Sequence, residues 1–204
     1  MADIVSNPED YFRQLVPGRD ALLRSLEAEA EAEEIPIAGP VVGALLFVLA
    51  RATGAQNILE LGAATGYSTI YLGRGCEPVD GRILTLEYDG DMAERARQNI
   101  ARADLSEIVT VCEANALEKL PELTGPYDFV FMDIEKQDYK AVLAQLEPIV
   151  RPGGLLLADN TGFKDAGTFN QAIYIASGWK SVQLFSYLPM HSGIYDGLCF
   201  AVRL

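Results

Sequence analysis

The sequence predicts an α/β protein in which a mostly parallel, seven-stranded sheet carries helices on both faces, behind an N-terminal helical segment. Three observations carry this. From Asn57 onward, short strand-like runs alternate with helical segments, the pattern of successive βαβ units. Two runs, Phe129-Val130-Phe131-Met132 and Leu155-Leu156-Leu157-Ala158, are unbroken in their apolar character, as in parallel strands buried on both faces. A glycine-bearing turn, Gly62 to Gly66, directly follows the first strand and opens the next helical segment.

Taken in order, residues 1–55 read as helices and 56–204 as the α/β core of one domain, the size a chain of 204 residues favours. Residues 19–33 show helical apolar spacing at Leu22, Leu23 and Leu26, and 41–49 form a helix apolar almost all round. Such a helix is buried in the core or against another subunit, and both are expected here, with a homodimer as the assembly. Strand one is 58–61, and 69–73 lie in the helix after the Gly turn. Strand two is 83–87, followed by a helix over 91–103 with Asp89 as N-cap. Strand three is 109–112 and strand four 128–132. The amphipathic stretch 138–148 is a helix, Gly153-Gly154 turn into strand five at 155–158, and 169–176 are helical. Two further strands, 181–187 and 198–202, close the chain.

Composition removes several classes of function. A net charge of −13 disfavours a nucleic-acid partner. The acidic run from Glu27 to Glu34 reads as the solvated face of a helix. The longest apolar stretch, 41–50, is well short of the roughly 20 residues of a membrane span. Cys76, Cys112 and Cys199 lie far apart, the last two inside apolar runs that make them buried, inert thiols. Their odd number, with no signal peptide, points to a reducing cytoplasm.

The chemistry sits at strand ends, where ligands of open α/β sheets bind. Asp133 ends strand four and Asp159-Asn160 end strand five, a hard-oxygen set of the kind Mg²⁺ accepts. A strand-end Asp is otherwise a cap or turn former. Lys136 is either a solvated cation or, beside a dication, a base of depressed pKa. The Gly62 turn offers close backbone approach and free N–H groups, or is simply a strand-to-helix connection. Glu87 can accept hydrogen bonds from ribose hydroxyls, or serve as a helix N-terminal carboxylate. Asn115 reads an adenine edge or shapes its loop. His191 is the sole histidine, which removes multi-histidine zinc sites; in its loop it is either an unremarkable surface residue or a substrate contact.

These residues resemble the Mg²⁺-dependent, S-adenosylmethionine-using O-methyltransferases of the caffeoyl-CoA and catechol type. The likeness covers nearly the whole chain. It runs from Arg19-Asp20-Ala21-Leu22-Leu23 and Ile35-Pro36-Ile37 through Ile58-Leu59-Glu60-Leu61-Gly62-Ala63-Ala64-Thr65-Gly66-Tyr67-Ser68-Thr69. Thr85-Leu86-Glu87-Tyr88-Asp89 and Glu113-Ala114-Asn115-Ala116 follow. The most specific matches are Phe131-Met132-Asp133-Ile134-Glu135-Lys136-Gln137-Asp138-Tyr139 and Arg151-Pro152-Gly153-Gly154 with Asp159-Asn160. Asp196-Gly197-Leu198 resembles the family's terminal strand entry.

The resemblance implies a Rossmann-like class I methyltransferase. Asp133, Asp159 and Asn160 would hold Mg²⁺ or another divalent cation such as Mn²⁺ or Ca²⁺, and Lys136 would be the general base. Glu60, Gly62, Ala63, Gly66, Tyr67, Ser68, Glu87, Tyr88, Asn115, Ala116 and Asp133 would contact S-adenosylmethionine. The acceptor would be a small hydroxylated aromatic with vicinal oxygens. Two alternatives stand beside it: a methyltransferase of hydroxylated tRNA uridine, and a non-catalytic S-adenosylmethionine-binding protein. The chain departs from the family at Ala114-Asn115-Ala116, where Gly-Asp-Ala is usual. It also departs in a short segment 161–168 and a long one, 187–195, both bordering the substrate mouth.

Overall fold

The computed structural model describes residues 5–191 and 193–204. Ser192, within the loop before the last strand, lies outside the described residues. Three helices come first: α1 (Pro8–Arg13), α2 (Ala21–Ala32) and α3 (Gly39–Thr53). Then β1 (Asn57–Leu61), α4 (Tyr67–Cys76), β2 (Arg82–Glu87), α5 (Gly90–Arg102) and β3 (Val109–Glu113) alternate. They are followed by α6 (Ala116–Lys119), β4 (Tyr127–Met132), α7 (Tyr139–Leu146), β5 (Val150–Ala158) and α8 (Gly167–Ile175). The strands β6 (Trp179–Tyr187) and β7 (Tyr195–Arg203) end the chain. The seven strands form one sheet ordered β3-β2-β1-β4-β5-β7-β6, parallel except for β7, which runs antiparallel to both neighbours.

The two-residue period of the strands sorts their side chains onto two buried faces. On one face Ile58, Phe129, Phe131, Leu155 and Leu157 pack with Leu23, Leu26, Leu46, Ile70 and Ile100 of helices α2 to α5. On the other, Leu59, Leu61, Val130, Met132, Leu156 and Ala158 pack with Tyr139, Val142, Leu146, Phe169 and Ile173 of α7 and α8. Burial on both faces is why the runs are apolar without alternation. Helix caps follow local chemistry: Asp20 accepts the Leu23 N–H, and Asp89 accepts those of Asp91 and Met92.

Some expectations need correction. Strand five does not begin at the Gly pair but at Val150, which pairs with Tyr127; a register shift between Tyr127 and Phe129 accommodates Gly153 at φ +78°. The acidic run is not wholly solvated. The Glu27 carboxylate is 9% exposed, paired with Arg19 and accepting the Tyr67 hydroxyl at 2.6 Å, while Glu33 pairs with Arg95 of α5. Cys112 is half-buried rather than buried, because its strand lies at the sheet edge beside β2 alone. Helix α3 is largely covered by its own chain, and of its large apolar residues only Val48 is exposed. The exposed apolar side chains Val182, Leu184 and Phe185 lie on the edge strand β6, and Tyr174 and Ile175 on α8. Among the described residues, no helix is long and apolar enough to cross a membrane.

Candidate active site

Sheet register builds the site. Leu86, Leu61, Met132 and Ala158 lie in one row across β2, β1, β4 and β5. The next residue on each strand is Glu87, Gly62, Asp133 or Asp159, so four of the singled-out residues share the carboxyl rim. Backbone bonds hold the row: Gly62 N–H to Leu86 O, Asp133 N–H to Leu61 O and Asp159 N–H to Met132 O, at 2.8–3.0 Å. The strand order reverses between β1 and β4, the position where such sheets open a crevice.

That crevice is a cavity of about 890 Å³. Gly62, Ala63, Tyr67, Ser68, Glu87, Tyr88, Asn115, Ala116, Asp133, Lys136 and Asn160 all line it, with Glu34 to Ala38 and Phe163 at other walls. Gly62 sits at φ +92°, and a Cβ there would lie 2.0 Å from the Asp133 carbonyl oxygen. The turn therefore brings β1 against β4 in a way only glycine permits. Glu87 braces the same turn: its Oε2 accepts the N–H groups of Ala63 and Ala64 at 3.1 and 2.8 Å, and its Oε1 that of Asp89. Asn115 caps α6 by accepting the Leu117 N–H, the loop-shaping role, while remaining on the cavity wall.

Two residues expected at the cofactor do not reach the cavity. Gly66 lies beneath it as the left-handed N-cap of α4, against Ala96. Glu60 is fully buried and its Oε2 accepts the Thr69 hydroxyl, whereas its Oε1 has no hydrogen-bond partner among the described residues. Desolvation pushes the Glu60 carboxyl from 4.5 to about 7, against the Thr69 hydrogen bond. The folded protein therefore holds a proton that the unfolded chain releases above its own, lower pKa. The contribution of Glu60 to stability is expected to fall as pH rises from about 4.5 to about 7 and to be flat beyond, a loss of about 2–3 kcal/mol between pH 5 and pH 8. Glu60→Gln keeps the Thr69 contact and should remove this slope, as measured by urea unfolding at the two pH values.

Asp133 and Lys136 form an ion pair, Lys136 Nζ to Asp133 Oδ1 at 2.9 Å, with both side chains about one-fifth exposed (22% and 23%). The Tyr139 hydroxyl reaches the carbonyl oxygens of Met132 and Asp159, each at 3.1 Å, and so ties the ends of β4 and β5 together. Asn160 adopts φ +49°, a left-handed conformation that asparagine tolerates better than most residues. Its Nδ2 donates to Asp196 Oδ2 at 2.7 Å. A carboxylate only accepts, so this bond fixes the amide with its NH₂ toward Asp196 and its Oδ1 on the opposite side.

His191 is not a surface residue. It is 7% exposed, and its Nε2 lies 3.0 Å from Asp159 Oδ2. Asp196, on the antiparallel strand β7, enters the rim because that strand starts where β5 ends; Thr161 N–H bonds Gly197 O. Sequence reasoning missed both residues. Burial raises Asp159 above the ordinary carboxylate range, with the His191 hydrogen bond opposing and the Asp133 charge reinforcing the rise. Burial alone would lower His191, but the hydrogen bond to Asp159 and the charges of Asp159, Asp133 and Asp196 hold it above its usual value.

A doubly wound sheet with a ligand-sized crevice at its reversal point, rimmed by carboxylates and an amide, defines a small-molecule-binding α/β enzyme scaffold. The family model described as O-methyltransferase matches residues 21–171, and the chain belongs to that family. It is 41% identical over 146 residues to a catechol O-methyltransferase of Niastella koreensis, across 69% of this chain and 66% of that protein. It is 37% identical to a catechol O-methyltransferase of Mycobacterium tuberculosis, across 76% of this chain and 72% of that protein. The crystal structure of an O-methyltransferase from Bacillus cereus in complex with SAH superposes with a TM-score of 0.86 at 29% identity, over 97% of both chains.

Proposed function

We propose that this chain transfers a methyl group from S-adenosylmethionine to one hydroxyl of a catechol-like small molecule, with a divalent cation holding the acceptor. The observation that carries this is the placement of Asp133, Asp159 and Asn160 on one rim, beside the cavity behind the Gly62 turn. The residues fit both groups. The Gly62 cradle would be filled by any Cβ, and among the described residues nothing donates to the Asn160 Oδ1. The SAH-bound Bacillus cereus relative supports the donor, and the catechol O-methyltransferase relatives support the acceptor class.

When bound, the cation lowers the pKa of a chelated hydroxyl, near 10 for a free phenol, and the sulfonium donor supplies the electrophilic methyl group. The residues of the chain do the rest. Asp133, Asp159 and the Asn160 amide oxygen hold the cation. Glu87, with Asn115 and Tyr88 on neighbouring walls, receives the adenosyl portion. Lys136, paired with Asp133 at 2.9 Å, stands beside the proposed cation site. Its Nζ would take the acceptor's hydroxyl proton. Alignment of the two reacting centres contributes several kcal/mol.

The test is methyl transfer from labelled donor to catechol and hydroxycinnamoyl thioesters, with and without EDTA. Activity on vicinal diols that EDTA abolishes and excess Mg²⁺ or Mn²⁺ restores is expected. EDTA-resistant transfer, or equal transfer to monophenols, contradicts the chelation step. For assembly and compartment, the apolar side chains exposed on β6 and α8 support a homodimer, and three free thiols support a reducing cytoplasm.

A further inference from the structure

His191, Asp159 and Asp196 come from three different segments, yet one ligand atom of each lies within 4.8 Å of the others. They are 7%, 0% and 1% exposed. Asp196 is already committed. Its Oδ1 accepts the N–H groups of Gly162 and Gly197 and its Oδ2 accepts from Asn160, so it acts as a clamp on the Asn160 amide.

His191 is arranged differently. Its Nδ1 lies 3.2 Å from the Gly193 carbonyl oxygen, and its Nε2 faces Asp159 Oδ2 at 3.0 Å and the Asn160 Nδ2 at 3.4 Å. The Gly193 N–H also reaches this Nδ1 at 3.2 Å, so the ring can take either tautomer; with the Nδ1 hydrogen on the Gly193 carbonyl, the Nε2 lone pair faces the Asp159 carboxylate. In that tautomer the two facing acceptors make a seat for a cation, and in the other the Nε2–H donates to Asp159. The 3.0 Å separation is also that of adjacent ligand atoms on an octahedral ion with bonds of about 2.1 Å. A backbone carbonyl on the second ring nitrogen is the usual support of a metal-bound imidazole. His191, Asn160 and Asp133 all open onto the same cavity.

We propose that the His191 Nε2 is a further ligand of the cation, completing a set of one nitrogen with the oxygens of Asp133, Asp159 and Asn160. The proposal rests on the cation dependence inferred above. Imidazole suits borderline transition ions, whereas an all-oxygen set suits Mg²⁺. The centre is therefore built for a divalent ion of the Mn²⁺ or Co²⁺ kind.

The metal-free protein should be titrated with Mn²⁺, Co²⁺ and Mg²⁺ by calorimetry, and its Mn²⁺ form measured by pulsed electron paramagnetic resonance. The wild type should show the ¹⁴N coupling of a directly bound imidazole, a readout needing no variant. His191→Gln should lose that coupling and bind Co²⁺ at least about tenfold more weakly, with Mg²⁺ affinity changed less than about threefold. Mn²⁺ bound without nitrogen coupling, or wild-type Co²⁺ affinity in His191→Gln, would overturn the assignment and leave His191 as a hydrogen-bonding support of Asp159. Either of those results leaves the cation-dependent reaction standing. A wild type that binds none of the three ions overturns both.

Discussion

Replacing Asp159 by alanine is expected to lower methyl transfer by at least about a thousandfold, about 4 kcal/mol of barrier, while S-adenosylmethionine still binds. The separation of effects follows from the layout. Asp159 ends β5, beyond the strand whose end carries Asp133, and it does not line the cavity wall formed by Gly62, Glu87 and Asn115. Its carboxylate instead meets the Asn160 N–H at 2.8 Å and His191 at 3.0 Å. Losing it removes one proposed ligand and loosens a second. Because a buried pair broken on one side costs about 3–5 kcal/mol of stability, Asp159→Asn serves as the isosteric companion. Calorimetry with the donor and single-turnover transfer to catechol check both variants. Loss of donor binding with cation affinity intact would contradict the division of roles.

Gly62→Ala should be the more damaging change for cofactor binding. The new Cβ would sit 2.0 Å from the Asp133 carbonyl oxygen, at a backbone angle of φ +92°. Neither neighbour can retreat cheaply. The Gly62 N–H is bonded to Leu86, the Asp133 N–H to Leu61, and Glu87 grips the two residues after the glycine. Relief requires parting β1 from β4, which deforms the cavity at its base. A hundredfold or greater loss of donor affinity, about 2.7 kcal/mol, is expected together with a lower urea midpoint. Gly167→Ala is the control, since a Cβ there meets nothing within 4 Å and both measurements should stay at wild-type values.

The rim was legible because the physics that writes it is local. A parallel strand buried on both faces is mostly apolar until it leaves the sheet, so the residue that follows each run marks the rim. Gly62, Glu87, Asp133 and Asp159 all stand at that boundary. What lies across the rim was not legible. His191 meets Asp159 over 32 positions, and Asp196 meets Asn160 over 36, through an antiparallel strand whose register the sequence does not announce. A lone histidine in a Pro-Met-His loop carries no periodicity from which burial can be read. The same holds for Glu27, whose place in an acidic run hides its contact with Tyr67, 40 positions away. Glu60 reads like Glu87 in sequence, an acid beside the Gly turn. Two positions along β1 separate it from the Gly62 rim, and at that depth the core covers it.

The central claim is that donor and cation occupy adjacent places on this rim, at the ends of β1 and β5. Crystals grown with Mn²⁺ and S-adenosylhomocysteine, with anomalous scattering collected for manganese, test it most directly. The account predicts a single strong anomalous peak within bonding distance of Asp133, Asp159 and the Asn160 amide oxygen, beside an adenosyl group seated between the Gly62 turn and Glu87. An adenosyl group in that seat with no manganese peak at these side chains, or manganese bound elsewhere, would contradict it.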